Sequence, residues 1–331
     1  MDQRHEAGAT SSVYGAVRLG YALVDSARLA DWKRFAVDGI GMAADEQSET
    51  VVALRTDDHA RRLIVRKSAD EDVAALGWEI ASEPALGLIL ARLKGRNIAV
   101  EEIKGEEAAL RGVRRLWRFL GPKRLTLELF TEPVMARSGQ AAVGGFVTGA
   151  GGMGHVAIMT RKPDQMIDFW RSIFDARISD FVEQRISGLS FKFTFLRLNP
   201  RHHSIAVGGT RGIAIDPIPT KVQHIEMQAA TLDQVTEAYR RCHSLGFKIG
   251  MAMGQHSNDR SVSFYAVSPS GFYFELGWNP ITIEDATEWP QITHPAISFW
   301  GHKPEDQTLA DRISLLRAGV ASLFRSEYTL L

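Results

Sequence analysis

Two stretches of the chain share one pattern of polar and apolar positions. Each has a histidine in an alternating segment and continues with a helical period: GHVAIMTRKPDQMIDFWRSIF from Gly154 and QHIEMQAATLDQVTEAYRRCH from Gln223. Alternation predicts a strand with one buried face, and apolar residues three and four positions apart predict an amphipathic helix. A shift of 69 positions (224 minus 155) superimposes His155 on His224. The pattern therefore predicts a repeated module that begins with a strand and a helix.

Fainter copies of both modules lie in the N-terminal half. LGYALVDSARLADWKRF matches the first module with Tyr21 in place of its histidine, and LGWEIASEPALGLILARLKGRNIAV matches the second with Trp78 in place of its histidine. FLGPKRLTLELF matches VSPSGFYFELGW, which pairs Glu128 with Glu275. The interval from Trp78 to Glu128 is 50 residues, and the interval from His224 to Glu275 is 51. Because aromatic side chains lack a lone pair suited to a metal, tyrosine phenolate aside, we expect only the C-terminal pair of modules to be active.

The four modules predict an α+β fold with two domains of two modules each. The predicted parts are a non-catalytic N-terminal domain, a Gly/Ala-rich linker, a catalytic C-terminal domain and a helical tail: residues 1–137, 138–153, 154–303 and 304–331. A G-x-G-x-x-G pattern spans residues 149–154. In a dinucleotide-binding loop it would lie between a strand and a helix, but here a strand is predicted to follow. We therefore interpret the pattern as part of the linker.

The composition is that of a soluble globular protein. Of the 331 residues, 45% are hydrophobic and 24% are charged, and 39 basic residues balance 39 acidic ones. This balance argues against a nucleic-acid-binding protein or one that acts on an anionic membrane. The sequence shows neither the apolar run of roughly 18 residues that a membrane span needs nor a signal-peptide pattern. A single cysteine, Cys242, rules out an internal disulfide, so we expect a cytoplasmic protein with Cys242 in its core.

Three residues at matched module positions form a candidate metal site: His155, His224 and Glu275. Two neutral imidazoles and one carboxylate on one face suit Fe(II), because they leave the other coordination positions open. Taken alone, a strand histidine is more often a structural residue, and a buried glutamate is usually salt-bridged. The three together, replaced at two positions in the N-terminal half, favour a metal site.

The stretch from Gly154 to His302 resembles the type I extradiol dioxygenases of the vicinal oxygen chelate superfamily, especially the 2,3-dihydroxybiphenyl 1,2-dioxygenase branch. The matching segments are GMGHVAIM, FLRLNPRHHSIAV, VQHIEMQAATLDQV, GQHSNDRSVSFYAVSPSGFYFELGW and FWGHK. The resemblance implies paired βαβββ modules that form an open barrel around a metal ion. It also implies cleavage of a catechol ring by O2 next to its two hydroxyls, with Fe(II) rather than Mn(II) as cofactor.

The resemblance also implies roles for individual residues. His155, His224 and Glu275 would bind iron, and His203 would act as the acid/base that handles the catechol proton. His256 and Tyr265 would form hydrogen bonds with the substrate. Five more residues would surround the substrate or orient these two side chains: Ala157, Phe195, Asn258, Asp259 and Pro269. The adjacent His202 fits a structural role, in a strand with one histidine ring pointing in and the other out.

The sequence leaves alternatives open for both the substrate and the reaction class. Ala157 is smaller than the valine that is common in dihydroxybiphenyl enzymes, which favours a bicyclic or bulky catechol such as 2,3-dihydroxybiphenyl. A non-oxidative member of the superfamily, such as a glyoxalase-like isomerase, an epimerase or a transferase, is one rival interpretation. A ligand-binding protein with a decayed metal site is another. The resemblance further implies a homo-oligomer.

The end of the chain predicts one more helix. Leu309, Ile313, Leu316, Val320 and Leu323 recur at helical spacing. Such a stripe covers something apolar. We expect it either to pack on its own C-terminal domain or to form a contact with another subunit or a lid over the pocket.

Overall fold

Four βαβββ modules follow one another along the chain, as the sequence predicts. The computed structural model describes residues 12–137, 144–284 and 289–327. Residues 138–143 of the predicted linker therefore lie outside the described part. Each module begins with a strand and a helix and continues with three strands, which confirms the predicted α+β class. Within the described ranges, every helix is too short or too polar to cross a bilayer.

The N-terminal half forms an eight-stranded sheet. Its first module contains β1 (Val17–Ser26), α1 (Leu29–Lys33), a π-helical segment (Arg34–Ile40), β2 (Ala43–Gln47), β3 (Val51–Arg55) and β4 (Leu63–Lys67). Its second contains β5 (Asp72–Ile80), α2 (Glu83–Gly95), β6 (Glu101–Lys104), α3 (Glu106–Leu110), β7 (Arg115–Leu120), a 3-10 turn (Pro122–Arg124) and β8 (Thr126–Phe130). The strand order is β2-β3-β4-β1-β5-β8-β7-β6, so the first strands of the two modules are neighbours at its centre.

The C-terminal half forms a larger sheet that curls into a half-barrel. It begins with β9 (Phe146–Val147), a 3-10 turn (Gly149–Gly151), β10 (Gly154–Met159), α4 (Pro163–Phe174), β11 (Arg177–Ile186), β12 (Leu189–Arg197) and β13 (Ile205–Arg211). It continues with β14 (His224–Ala229), α5 (Leu232–Ser244), β15 (Ile249–His256), β16 (Val262–Val267), β17 (Tyr273–Trp278), β18 (Thr293–His294), β19 (Ser298–Trp300) and α6 (Leu309–Ser322). The order is β18-β11-β12-β13-β10-β14-β17-β16-β15-β19, with β9 against β14. Strand β10 follows the G-x-G-x-x-G pattern, as predicted.

Helices α4 and α5 bury the apolar stripes that their sequences predict. Helix α5 begins at a capping box in which Thr231 and Gln234 satisfy each other's backbone N–H groups. Cys242 is buried on its inner face, which confirms the predicted core position. The buried residues of α4 are Met166, Phe169, Trp170, Ile173 and Phe174.

The buried apolar core is continuous across the two halves. Trp78 of β5 contacts Trp170 of α4, with ring centroids 5.0 Å apart. Phe35 of the π-helical segment contacts Phe274 of β17 at 5.7 Å. The two halves therefore share one core, and the domain boundaries at residues 137, 153 and 303 stay predictions.

Strand pairing identifies the N-terminal counterparts of the metal-site candidates. In each half, the first strand of the second module (β5 or β14) lies between two other strands. One of its residues pairs with one residue on each of these neighbouring strands. These sets are Gly77 with Tyr21 and Glu128, and Glu226 with His155 and Glu275. The predicted matches of Tyr21 with His155 and of Glu128 with Glu275 are therefore confirmed.

The predicted match of Trp78 with His224 is wrong by three positions. The pair Leu23–Ala75 occupies the place that the pair Ala157–His224 has in the other half. Ala75 is thus the counterpart of His224. Because side chains alternate along a strand, Trp78 lies on the opposite face of β5, where it packs against α4.

Glu128 is buried, and three side chains donate hydrogen bonds to it. The Tyr21 hydroxyl lies 2.5 Å from Oε2. Arg111 donates to both oxygens at 3.0 and 2.9 Å, and Arg118 Nε donates to Oε1 at 2.8 Å. Burial alone would raise the pKa of Glu128, but the hydrogen bonds from Arg111 and its neighbours lower it. Arg118 also occupies, on β7, the position that Tyr265 has on β16.

Candidate metal centre and its cavity

His155, His224 and Glu275 lie on three neighbouring strands, because β14 pairs with β10 on one side and β17 on the other. The Nε2 atoms of the two histidines are 2.9 Å apart. Glu275 Oε2 lies 3.5 Å from His155 Nε2 and 3.2 Å from His224 Nε2. All three side chains are buried. The structure therefore brings the three predicted ligands together.

The separations of these ligand atoms fit one divalent metal ion. Ligand atoms about 2.1 Å from an ion and at right angles to one another are about 3 Å apart. Glu275 Oε2 is buried and has no hydrogen-bond donor among the described residues, which is costly for a carboxylate oxygen unless a cation binds it. Two imidazoles and one carboxylate on one side leave the remaining coordination positions open. This donor set supports a catalytic metal.

The electrostatics of the site favour a bound cation. Burial alone would raise the pKa of Glu275, but the neighbouring side chains of His155, His256 and His224 lower it well below its usual range. Burial alone would lower the pKa of His155, but Glu226 and Glu275 raise it to about 9. Burial lowers the pKa of His224 to about 3. The carboxylate therefore stays ionised among histidines that can bind a proton or a metal ion.

Glu226 supports His155 from the side away from His224. It follows His224 by two residues on β14, so both side chains lie on one face of the strand. Its Oε2 atom lies 3.3 Å from His155 Nδ1 and 3.3 Å from Arg201 Nη1. By accepting the Nδ1–H proton, the carboxylate leaves the His155 Nε2 lone pair free for a metal. Glu226 was not predicted as a site residue, although the alternation of β14 places it on the same face as His224.

His256 and Tyr265 lie beside the other oxygen of Glu275. His256 Nδ1 donates to the Ile297 carbonyl at 3.1 Å, while Nε2 lies 2.8 Å from the Tyr265 hydroxyl and 3.1 Å from Glu275 Oε1. Burial and the nearby Glu275 carboxylate raise the pKa of Tyr265 well above its usual value. The Tyr265 hydroxyl therefore remains a donor. His302, from the FWGHK segment, stacks on His256 at 4.2 Å and was not predicted as a site residue.

His203 lines the cavity next to this group, with ring centroids 4.0 Å from His155 and 4.9 Å from Phe195. Burial, then the charge of neighbouring histidines, lowers the pKa of His203 well below its usual value. His202 points away, with Nε2 2.8 Å from Asp180 Oδ2. The histidine pair lies between β12 and β13, and both rings are buried. The predicted strand with one ring pointing out is therefore wrong.

Four of the five other predicted positions line the cavity: Ala157, Phe195, Asn258 and Asp259. Pro269 is not among the lining residues. Its carbonyl accepts a hydrogen bond from Arg28 Nη1 at 2.7 Å, so its turn contacts the N-terminal half. Pro269 therefore lies outside the cavity wall, and its predicted role around the substrate stays a prediction.

The metal-binding group opens into a cavity of about 460 Å³. Phe191, Phe193 and Phe195 form an apolar wall on β12. Polar lining residues lie at the metal-binding group and His203, and others, among them Lys248, Asp306 and Asp311, lie in the β15 and α6 region of the wall. An apolar volume with a few convergent polar groups is the usual form of a small-molecule site.

Helix α6 is present as predicted, but its apolar stripe is left largely exposed by residues 12–137, 144–284 and 289–327. The stripe residues are 42–74% exposed: Leu309, Ile313, Leu316, Val320 and Leu323. The other side of α6 contributes Asp311, Ser314 and Leu315 to the cavity lining. Packing of the stripe on the C-terminal domain, one of the predicted alternatives, is therefore wrong. The residues of α6 that line the cavity instead lie outside the predicted stripe.

Two family models match the chain. Residues 152–276 match the Glyoxalase/Bleomycin resistance protein/Dioxygenase superfamily, and residues 19–67 match the model described as Dihydroxybiphenyl dioxygenase BphC D1. The first match contains the three candidate ligands, and the second lies in the half with the buried Glu128.

The chain is also similar to characterised proteins over most of its length. It is 31% identical over 293 residues to biphenyl-2,3-diol 1,2-dioxygenase of Metapseudomonas furukawaii, covering 86% of this chain and 92% of that protein. It is 32% identical over 294 residues to 3-methylcatechol 2,3-dioxygenase of Pseudomonas putida, covering 86% and 97%. The crystal structure of 2,2',3-trihydroxybiphenyl 1,2-dioxygenase from Sphingomonas wittichii strain RW1 matches with a TM-score of 0.78 at 26% identity, covering 88% of this chain and 100% of that chain.

Proposed function

We infer the chemistry of this site from one premise: the chain belongs to the extradiol dioxygenases of the glyoxalase/bleomycin resistance protein/dioxygenase superfamily. It is an oxidoreductase that cleaves a catechol ring next to its two hydroxyls and inserts both atoms of O2 into the product. The observation that carries this function in the present chain is the group His155, His224 and Glu275 in the wall of an apolar cavity.

We propose Fe(II) as the metal. Bound by these three residues, Fe(II) would supply open positions for a catecholate and O2 and the redox chemistry that joins them. One carboxylate ligand offsets only part of the 2+ charge, which favours an anionic substrate. Mn(II) accepts similar oxygen and nitrogen ligands, so reconstitution with each ion separately is the test.

We assign the proton transfer to His203. It is neutral and lies beside His155 at the cavity wall, so it can accept a catechol proton and return it when the ring opens. His256 and Tyr265 lie where they can form hydrogen bonds with the substrate oxygens. Asn258 and Asp259 line the same region and would orient them.

We propose a bicyclic or otherwise bulky catechol as substrate. The curated relatives named above act on biphenyl-2,3-diol and 3-methylcatechol. In this chain, a small side chain at Ala157 and the three phenylalanines of β12 leave an apolar cavity of about 460 Å³. That volume is within the range of about 300–1,000 Å³ that is typical for ligand sites.

A panel of catechols tests the proposal. The protein would be loaded with Fe(II) or Mn(II) without oxygen and then mixed with aerated catechol, 3-methylcatechol, 2,3-dihydroxybiphenyl or 1,2-dihydroxynaphthalene. We expect a yellow ring-opened product with Fe(II), and at least about tenfold higher kcat/KM for the bicyclic compounds, the scale of a well-filled apolar pocket. Equal or better turnover of plain catechol would contradict the substrate proposal, and greater activity with Mn(II) would contradict the iron proposal.

We also propose that the protein is a homo-oligomer joined through α6. The exposed stripe has alternating spacings of four and three residues, from Leu309 to Leu323. This spacing is that of a seam between two helices, and α6 of a second copy would supply the same seam.

A double substitution on the outer face of α6 tests this contact. Leu316→Glu with Val320→Glu should lower the mass by light scattering without changing KM, since neither residue lines the cavity. Arg312→Glu is the control, because Arg312 is exposed on the same helix but outside the stripe. An unchanged mass in the double variant would contradict the interface.

A further inference from the structure

Behind His203, two buried side chains continue a chain of hydrogen bonds that ends at a carboxylate. His203 Nδ1 lies 3.1 Å from His202 Nδ1, and His202 Nε2 lies 2.8 Å from Asp180 Oδ2. All three residues are at most 4% exposed. His203 lines the cavity, whereas His202 and Asp180 are not among the lining residues. The two outer residues can therefore influence the cavity only through His203.

The chemistry of the three groups determines where the protons lie. A carboxylate only accepts, so His202 Nε2 must carry the proton of the bond to Asp180. A neutral His202 then has a bare Nδ1, which accepts a hydrogen bond from His203 Nδ1. This leaves the lone pair of His203 on Nε2, at the opposite edge of the ring. A doubly protonated His202 would reverse the bond to His203 and place the proton on the wrong nitrogen.

The surroundings keep this arrangement in place. Asp180 Oδ1 accepts a hydrogen bond from the Ile292 backbone N–H at 3.0 Å, so the carboxylate orientation is determined. The other acceptor near His203 Nδ1 is Asp259 Oδ2, at 3.9 Å. That distance is too long for a hydrogen bond. His202 is therefore the partner that selects the tautomer of His203.

We propose that Asp180 and His202 are positioning residues that hold His203 as the Nδ1–H tautomer, with its Nε2 lone pair directed at the substrate. The proposal rests on the acid/base role proposed above for His203. A general base must present an unprotonated nitrogen to the hydroxyl that it deprotonates. With the other tautomer, the ring would present an N–H group and could not take the proton.

The substitution Asp180→Asn changes this polarity without changing shape. Because the Ile292 N–H holds the Oδ1 position, the amide oxygen takes that place and the NH2 group faces His202 Nε2. His202 must then accept at Nε2 and donate from Nδ1, which forces the His203 proton onto Nε2. In Ser-His-Asp triads, the same exchange lowers kcat by about 10⁴ because the histidine takes the wrong tautomer.

Nitrogen NMR reads the tautomer directly and independently of turnover. Full-length protein with ¹⁵N-labelled histidine would be loaded with Zn(II), a diamagnetic ion that accepts the same ligands, and His203 assigned by its loss in His203→Gln. We expect Nδ1–H in the wild type and Nε2–H in Asp180→Asn. An Nε2–H tautomer of His203 in the wild type, or two protons on His202, would overturn the proposal.

Kinetics of the iron-loaded protein separate this proposal from the one it rests on. Asp180→Asn should lower kcat at least about 100-fold, the scale of a lost general base, with unchanged metal content and KM within a factor of about three. An inverted tautomer with unchanged kcat would instead overturn the acid/base role of His203. An unchanged tautomer with lowered kcat would overturn the positioning role.

A second pair of variants tests polarity against packing. His202→Gln keeps an acceptor for His203 and a donor for Asp180, whereas His202→Leu removes both and retains the volume. We expect the glutamine variant to stay within about tenfold of wild-type kcat and the leucine variant to lose at least about 100-fold. Equal losses in both would overturn the proposal, since they would make ring packing the requirement.

Discussion

Replacing Glu128 with glutamine should destabilise the protein strongly and leave its metal centre unaffected. Glu128 is completely buried and receives hydrogen bonds from Tyr21, Arg111 and Arg118. Glutamine has nearly the same shape but no charge, so the buried guanidinium of Arg111 loses its buried counter-ion and keeps only the half-exposed Glu107 carboxylate, 4.0 Å away. Removing one partner of a buried ion pair lowers the free energy of unfolding by about 3–5 kcal/mol. At about 2–4 °C per kcal/mol for a domain of this size, Tm should fall by about 6–20 °C.

The matched variant is Glu275→Gln, at the equivalent position of the other half. Thermal unfolding followed by circular dichroism and metal content measured by mass spectrometry would be compared for the two proteins. Glu128→Gln should keep one metal ion per chain and wild-type kcat. Glu275→Gln should lose the metal, with a smaller fall in the Tm of the metal-free form. Loss of metal from Glu128→Gln, or a fall in its stability below about 1 kcal/mol, would refute the structural role assigned to the Arg111–Glu128 pair.

Four further outcomes follow from the site. Metal binding should release close to one proton per ion near neutral pH, because the pKa of His155 is raised to about 9 in the metal-free fold; calorimetry in buffers of different ionisation enthalpy measures this, and a pH-independent affinity would contradict it. The same raised pKa of His155 stabilises the metal-free fold at pH values below 6.5, the ordinary pKa of histidine, and this stabilisation is lost as the pH rises through about 9. Urea unfolding measured across that pH range would detect the loss. His203→Gln should keep its metal but lose at least about 100-fold in kcat, and unchanged turnover would remove its acid/base role. Ala157→Val should lower kcat/KM for bicyclic catechols more than for catechol itself, and an equal change for both would show that Ala157 does not limit substrate size.

Periodicity in the sequence was sufficient to predict the four modules and to single out the three candidate ligands, which the structure brings together. The two histidines and Glu275 lie on central strands whose alternation is easily read, and Tyr21 and Glu128 occupy the places of His155 and Glu275 in the other half. Alternation assigns a side chain to a face of a strand, but it does not set the register between strands. The match of Trp78 with His224 failed for this reason, since the pairing places Ala75 there, and β1 and β5 are offset by irregularities.

Contacts between distant segments could not be predicted. The bond between His202 and Asp180 joins the end of β12 to β11, and nothing in the local pattern around either residue indicates it. The stripe of α6 was predicted to cover apolar surface, because burial is the usual fate of such a stripe. Hydrophobic spacing identifies the apolar face of a helix, but it does not identify whether the surface that covers this face is in the same chain.

The buried Glu128 shows how this fold balances a carboxylate without a metal. In the N-terminal half, the compensating charge is built into the chain as Arg111 and Arg118, whereas in the C-terminal half it must be taken up from solution. Loss of the ion from Glu275 therefore leaves the electrostatics of the N-terminal half untouched. Because the halves share a continuous core, the intact half is a template on which the emptied site can remain folded. An enzyme inactivated by loss of its metal ion should consequently be reactivated by adding the metal, without being refolded.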